Sequence, residues 1–135
     1  DDGPRRSTTP RLLDGLSERG VQATFFLIGA QIEGNEDVIR RMDNEGHQIG
    51  IHTYDHVKLT GLNRADFDAQ VEKSRMLLKE TLGHNDFLLR PPYGSRPGLA
   101  ALLSYGLSTL RTGTTKTPTA RYSRLCLRPR TVPSF

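Results

Sequence analysis

The chain has 135 residues, one cysteine and no tryptophan; that length suits one folding unit, and the lone Cys126 excludes an internal disulfide or a cysteine metal cluster. The net charge of +4 is unevenly spread: residues 1–108 carry 13 basic against 15 acidic side chains, whereas Thr109–Phe135 holds six basic and no acidic ones. The longest strongly apolar run, ATFFLIGA from Ala23 to Ala30, is too short to cross a bilayer, and no intact signal sequence is visible.

The chain opens on Asp1-Asp2-Gly3-Pro4, which reads as the inside of a motif and hence as a piece of a longer domain. A first helix is expected from Thr8 or Thr9 before Pro10, with Leu12, Leu13 and Leu16 on one apolar face and Gly20 as its stop. Residues 21–28 (VQATFFLI) have the pattern of a buried strand. Asn35 is placed to cap a second helix carrying Val38, Ile39 and Met42 and ending at Gly46, after which residues 47–51 (HQIGI) form a short strand. Asn63 and Asp66 resemble a capping box for a longer helix whose Phe67, Val71, Leu78 and Leu82 share a face before Gly83. A strand over residues 86–89, a helix from about Pro97 and a strand from Leu107 complete the pattern.

Strands alternating with helices argue for an α/β fold with parallel strands and helical crossovers, a sheet or barrel. Ligands of such folds sit at the carboxyl ends of the strands. Two segments fall there, His52-Thr53-Tyr54-Asp55-His56 and Arg90-Pro91-Pro92-Tyr93-Gly94, and an apolar strand preceding Asp1 would bring Asp1 and Asp2 to the same rim. Histidines four apart share one face of a helical turn, about 6 Å apart along its axis, and with a carboxylate make a His₂Asp set that leaves coordination positions open. A metal so held lowers the pKa of its water from 15.7 toward ~7 and polarises a carbonyl. Bland readings stand beside these. Asp1 and Asp2 can be charges on a frayed end, Pro91-Pro92 a rigid surface turn, and Tyr93 a packing residue. His47 and His84 lack paired ligand spacing and read as structural, Thr53 as a cap of the turn, and Asp55 as solvent-facing.

The three segments resemble the first three motifs of the polysaccharide deacetylases, carbohydrate esterase family 4: T-F-D-D-G-P, H-(S/T)-x-x-H and R-P-P-(Y/F)-G. The similarity runs from residue 1 to about 110. It implies a distorted (β/α) barrel, here partial, and removal of acetyl groups from N-acetylglucosamine-containing polysaccharide such as peptidoglycan or chitin oligomers, or from O-acetylated xylan in some members. The divalent metal it implies is zinc before cobalt or another ion, and it points to a secreted or cell-envelope setting, with a poly- or oligosaccharide as partner and no nucleic acid. Position by position, the resemblance makes Asp1 the general base, Asp2, His52 and His56 the metal ligands, and Arg90 the residue that orients and charge-pairs Asp1. The backbone N–H of Tyr93 becomes the oxyanion donor.

Two later family motifs, an Asp/Trp segment and a Leu-x-His that supplies the general acid, are not found. Residues 1–110 therefore read as an incomplete deacetylase domain and 111–135 as an irregular basic tail. Codons for Arg111–Tyr122 can be chosen so that a shifted frame gives Asp-Trp-Asp-Asn-Lys-Asp-Thr-Asp-Gly-Ala-Ile-Leu, similar to the missing fourth motif; sequencing the coding DNA tests this. Two rivals to an active deacetylase follow: a metal- or glycan-binding remnant without the acid, and a tail that acts as a binding arm for anionic polymers.

Overall fold

A computed structural model of the chain describes residues 1–95. The helix expected from Pro97, the strand from Leu107 and the basic tail lie outside the described residues.

Among the described residues the fold is α/β, with three parallel strands and three helices in the order α1 (Thr9–Glu18), β1 (Thr24–Leu27), α2 (Glu36–Asn44), β2 (Gln48–Ile51), α3 (Arg64–Leu82) and β3 (Leu88–Leu89). Short 3₁₀ turns at Gly29–Gln31 and Pro92–Gly94 follow β1 and β3. Helix stops fall where the sequence puts glycine: Gly46 and Gly83 have φ of 86° and 75°, the left-handed conformation that costs glycine least. Asn63 caps α3 by accepting the Asp66 N–H at 2.8 Å, and its own amide donates to the Asp66 carboxylate at 2.9 Å. Asn35 precedes α2, but its side chain does not cap it; the amide donates to the Gln31 carbonyl at 2.8 Å instead.

Strand order is β1-β2-β3, all parallel. The register runs in a straight line: Leu27 lies opposite Ile51, Ile51 opposite Leu89, and Gly3 makes a further parallel bridge to Leu27. Side chains alternate across a sheet, and Phe25, Leu27, Ile49, Ile51, Phe87 and Leu89 accordingly join one core with Leu13, Val38, Ile39, Met42, Phe67, Val71 and Leu78 of the helices. Phe26 and Leu88 are buried but stand apart from that cluster. Between them Gly50 makes room: a Cβ there would lie 2.6 Å from the Phe26 ring and 2.8 Å from the Leu88 carbonyl oxygen.

Three expectations need correction. Leu12 does not share the buried face of Leu13; it is 53% exposed and lines an open cavity of about 390 Å³ with Leu16, Phe25 and Met42. The strands are shorter than their apolar runs, because pairing begins only at Thr24 and Leu88. Most important, the segment between His52 and His56 is a loop and not a helical turn, with Thr53 and His56 at φ of 64° and 57°.

Candidate metal centre

The register places the candidate site. One residue beyond the aligned ends Leu27, Ile51 and Leu89, the chain continues the ladder: Ile28 N–H donates to Gly3 O, His52 N–H to Leu27 O and Arg90 N–H to Ile51 O, each at 2.9 Å. His52 and Arg90 are thus fixed side by side, and the Gly3 bridge ties the segment bearing Asp1 and Asp2 to the same rim. Gln31 adds to that tie: with its amide nitrogen facing inward it donates to the carbonyls of Asp2 (3.1 Å) and Pro4 (3.0 Å). The frayed-end reading of the two aspartates does not describe this segment.

His52 is buried, and its Nδ1 lies 2.6 Å from the Arg90 carbonyl oxygen. A carbonyl only accepts, so Nδ1 carries the proton and Nε2 presents its lone pair. That lone pair faces the Asp2 carboxylate at 3.4 Å. Burial holds His52 below the usual histidine pKa, against the raising effects of the Arg90 carbonyl and the Asp2 charge; His56 and the amino terminus lower it further. The neutral imidazole it favours is the form that ligates metals.

His56 reaches the same point by a different route. The left-handed turns at Thr53 and His56 fold the chain back so that the two imidazole centroids are 5.0 Å apart, and His56 Nε2 sits 3.1 Å from Asp2 Oδ1. The loop is held by the first 3₁₀ turn, whose Gly29 and Ala30 N–H groups donate to the carbonyls of Thr53 and Tyr54 at 2.9 and 3.0 Å. Thr53 Oγ1 accepts the Val57 N–H at 3.2 Å, the capping task expected of it without the expected helix. One ligand atom from each of Asp2, His52 and His56 falls within 4.8 Å of the others. With Nδ1 of His52 already donating, a lone pair and a carboxylate oxygen confront each other at 3.4 Å. A cation between them relieves that repulsion, so the donor set fits a divalent metal with open positions.

Beside this group, Arg90 Nη1 contacts both carboxylate oxygens of Asp1, at 2.9 and 3.1 Å. The guanidinium lies over the Phe26 ring, 4.2 Å from its centroid, an arrangement that fixes its plane. Tyr93, at φ 58°, is 73% exposed, and its hydroxyl is 3.3 Å from His56 Nδ1. Asp1, Asp2, His52, His56, Arg90 and Tyr93 therefore meet at one rim. His47 and His84 stay apart as structural residues: His47 Nδ1 accepts the Ala23 N–H at 3.0 Å, and His84 Nε2 pairs with Asp43 at 3.1 Å. Asp55 is exposed, yet its carboxylate accepts from Gln70 at 2.7 Å. Gln31 and Gln70 are the residues that sequence reasoning misses. Neither sits in a motif, and nothing in their spacing sets them apart from surface glutamines.

Among the described residues no helix is long and apolar enough to cross a membrane. A family model described as polysaccharide deacetylase matches residues 1–109. A peptidoglycan-N-acetylglucosamine deacetylase of Bacillus cereus is 42% identical over 94 residues, covering 70% of this chain and 34% of that protein. A chitin deacetylase of Pestalotiopsis sp is 44% identical over 110 residues, covering 79% of this chain and 37% of that protein. The chain thus spans about a third of the length of these two relatives. In solved structures, a peptidoglycan N-acetylglucosamine deacetylase superposes with a TM-score of 0.76 at 34% identity, covering 82% of this chain and 53% of that one. A family 4 carbohydrate esterase from Streptomyces lividans, in complex with acetate, gives 0.73 at 32% identity, covering 82% and 58%.

Proposed function

Because the chain belongs to the polysaccharide deacetylase family, we propose that it is built for metal-dependent hydrolysis of acetamide groups on an N-acetylglucosamine-containing polysaccharide, peptidoglycan or chitin oligomers. The observation that supports this reading is the convergence of Asp2, His52 and His56 at one point, beside an Asp1 carboxylate held by Arg90. In this reading residues 1–110 are an incomplete deacetylase domain and 111–135 an appended tail.

A divalent ion held by Asp2, His52 and His56, zinc before cobalt, would polarise the acetyl carbonyl and acidify water for attack. Asp1 takes the proton of the attacking water as general base; the Arg90 guanidinium keeps its carboxylate turned to the site. The Tyr93 N–H donates to the carbonyl oxygen as it gains charge. The C–N bond of the acetamide breaks as its nitrogen takes up the proton that Asp1 received from the water, giving acetate and a free amine on the sugar. The buried Nδ1–H bond of His52 to Arg90 preserves the tautomer that ligates.

The test is acetate release from a chito-oligosaccharide and from peptidoglycan by the 135-residue chain, with and without added Zn²⁺ or Co²⁺, beside His52→Ala. Release that needs the metal and is abolished by the substitution is the expected result. Metal uptake by folded protein without release would overturn hydrolysis in favour of a non-catalytic metal- or glycan-binding protein.

A further inference from the structure

Gln70 lies near the middle of α3, outside all three motifs, yet its side chain makes three hydrogen bonds to the loop between the two candidate histidine ligands. Its oxygen accepts the N–H groups of Tyr54 (3.1 Å) and Asp55 (2.9 Å), and its nitrogen donates to the Asp55 carboxylate at 2.7 Å. Lys73, on the same helix, sits 3.7 Å from the centroid of the Tyr54 ring. From the first 3₁₀ turn, Gly29 and Ala30 hold the carbonyls of Thr53 and Tyr54. The loop is therefore gripped from two elements, its carbonyls by the 3₁₀ turn and its N–H groups by α3.

The grip matters because the loop is strained. Thr53 and His56 both have positive φ, and for non-glycine residues such conformations are unfavourable and persist only where the surroundings over-determine them. Thr53 is β-branched, the type least tolerant of this region. Relaxation of either residue swings His56 away from Asp2 and His52. Only a side chain with both an acceptor and a donor satisfies this loop: a carboxylate at position 70 would face the Asp55 carboxylate, and an apolar residue would leave two N–H groups without it.

We propose that Gln70 is a positioning residue that sets the divalent-metal affinity of the Asp2–His52–His56 group by locking residues 53–56 in their strained conformation. The inference rests on the metal reading above. The hydrogen-bond polarity of the clamp can be reversed, and that supplies the test. Gln70→Ala removes it. Gln70→Glu opposes two carboxylates, and Gln70→Glu combined with Asp55→Asn restores one donor–acceptor pair in the opposite sense while keeping an acceptor for both N–H groups.

The measurements are Co²⁺ affinity, from the visible absorption of the bound ion or by calorimetry, and hydrogen exchange of the Tyr54 and Asp55 amides in metal-free protein. Loss of an outer partner of a ligand weakens metal binding by about 10- to 100-fold. Gln70→Ala is expected at the lower end of that range, Gln70→Glu beyond it, and the double variant to recover most of the loss. Both amides exchange faster in the single variants and slow again in the double one. Wild-type Co²⁺ affinity in Gln70→Ala, or a double variant as weak as Gln70→Glu, would overturn the clamp. A wild-type chain that takes up no Co²⁺ would instead overturn the metal reading, and unchanged amide exchange in Gln70→Ala would then refute the clamp separately.

Discussion

Gly29 offers the sharpest perturbation of the site from outside it. A methyl group on Gly29 would lie 2.5 Å from Tyr54 Cδ2 and 3.0 Å from Tyr54 Cα, and would also collide with Ser74 Oγ. The tyrosine ring can swing and the serine can turn, but Cα is backbone. To reach an ordinary contact of 3.4 Å, residue 54 must retreat by about 0.4 Å. That retreat stretches the bonds from Gly29 and Ala30 to the Thr53 and Tyr54 carbonyls and shifts His56 relative to Asp2. Gly29 does not have a positive φ, so the cost is steric. Overpacking of this kind costs about 1–3 kcal/mol, and the displaced loop should weaken Co²⁺ binding by about tenfold. Urea unfolding of metal-free protein and Co²⁺ titration of Gly29→Ala measure the two effects. Gly15→Ala is the control. Within α1 the new methyl meets only the flexible end of Arg19, at 3.4 Å, and the change should stabilise by about 0.5–1 kcal/mol. A Gly29→Ala protein with wild-type stability and wild-type affinity would refute the packing argument.

Acid should weaken the fold through His47. Burial, the largest effect, and the Arg41 charge hold its pKa below the usual 6.5, with Glu45 acting against them, while its Nδ1 accepts the Ala23 N–H. The unfolded chain takes up the proton first, so this contribution is complete above pH ~6.5 and is lost as pH falls below it, at up to about 1.4 kcal/mol per pH unit. Urea midpoints between pH 7.5 and 5.5 are expected to drop less in His47→Gln than in wild type, and equal slopes would count against the assignment. Truncation should separate two apolar helix positions of different burial. Leu78→Ala removes a fully buried side chain and should cost about 2–5 kcal/mol. Leu12→Ala, half exposed beside its open cavity, should cost under about 1 kcal/mol in the same denaturation assay.

The amino-acid sequence by itself determined the alternation of elements and marked the residues of the candidate site. Apolar runs of strand length, Asn63 with Asp66 at a helix start and glycines at helix stops are local signals, each readable within a few residues of chain. Asp1, Asp2, His52, His56, Arg90 and Tyr93 are likewise legible, because they follow strand ends in a repeating pattern and stand in recognisable motifs. Only the tertiary structure decided how they meet. The parallel register that aligns Gly3, Leu27, Ile51 and Leu89 depends on pairing between segments far apart in the chain, and it alone sets His52 against the Arg90 carbonyl. The helical spacing assigned to the two histidines failed for the same reason. Hydrogen bonds from Gly29, Ala30 and Gln70 hold a loop with positive φ at Thr53 and His56, a conformation that no local propensity favours. Gln70 stayed invisible because a glutamine on a helix carries no periodic signal of its own. Its importance comes from three partners 15 and 16 residues away, which only the packing of α3 against the loop brings within reach.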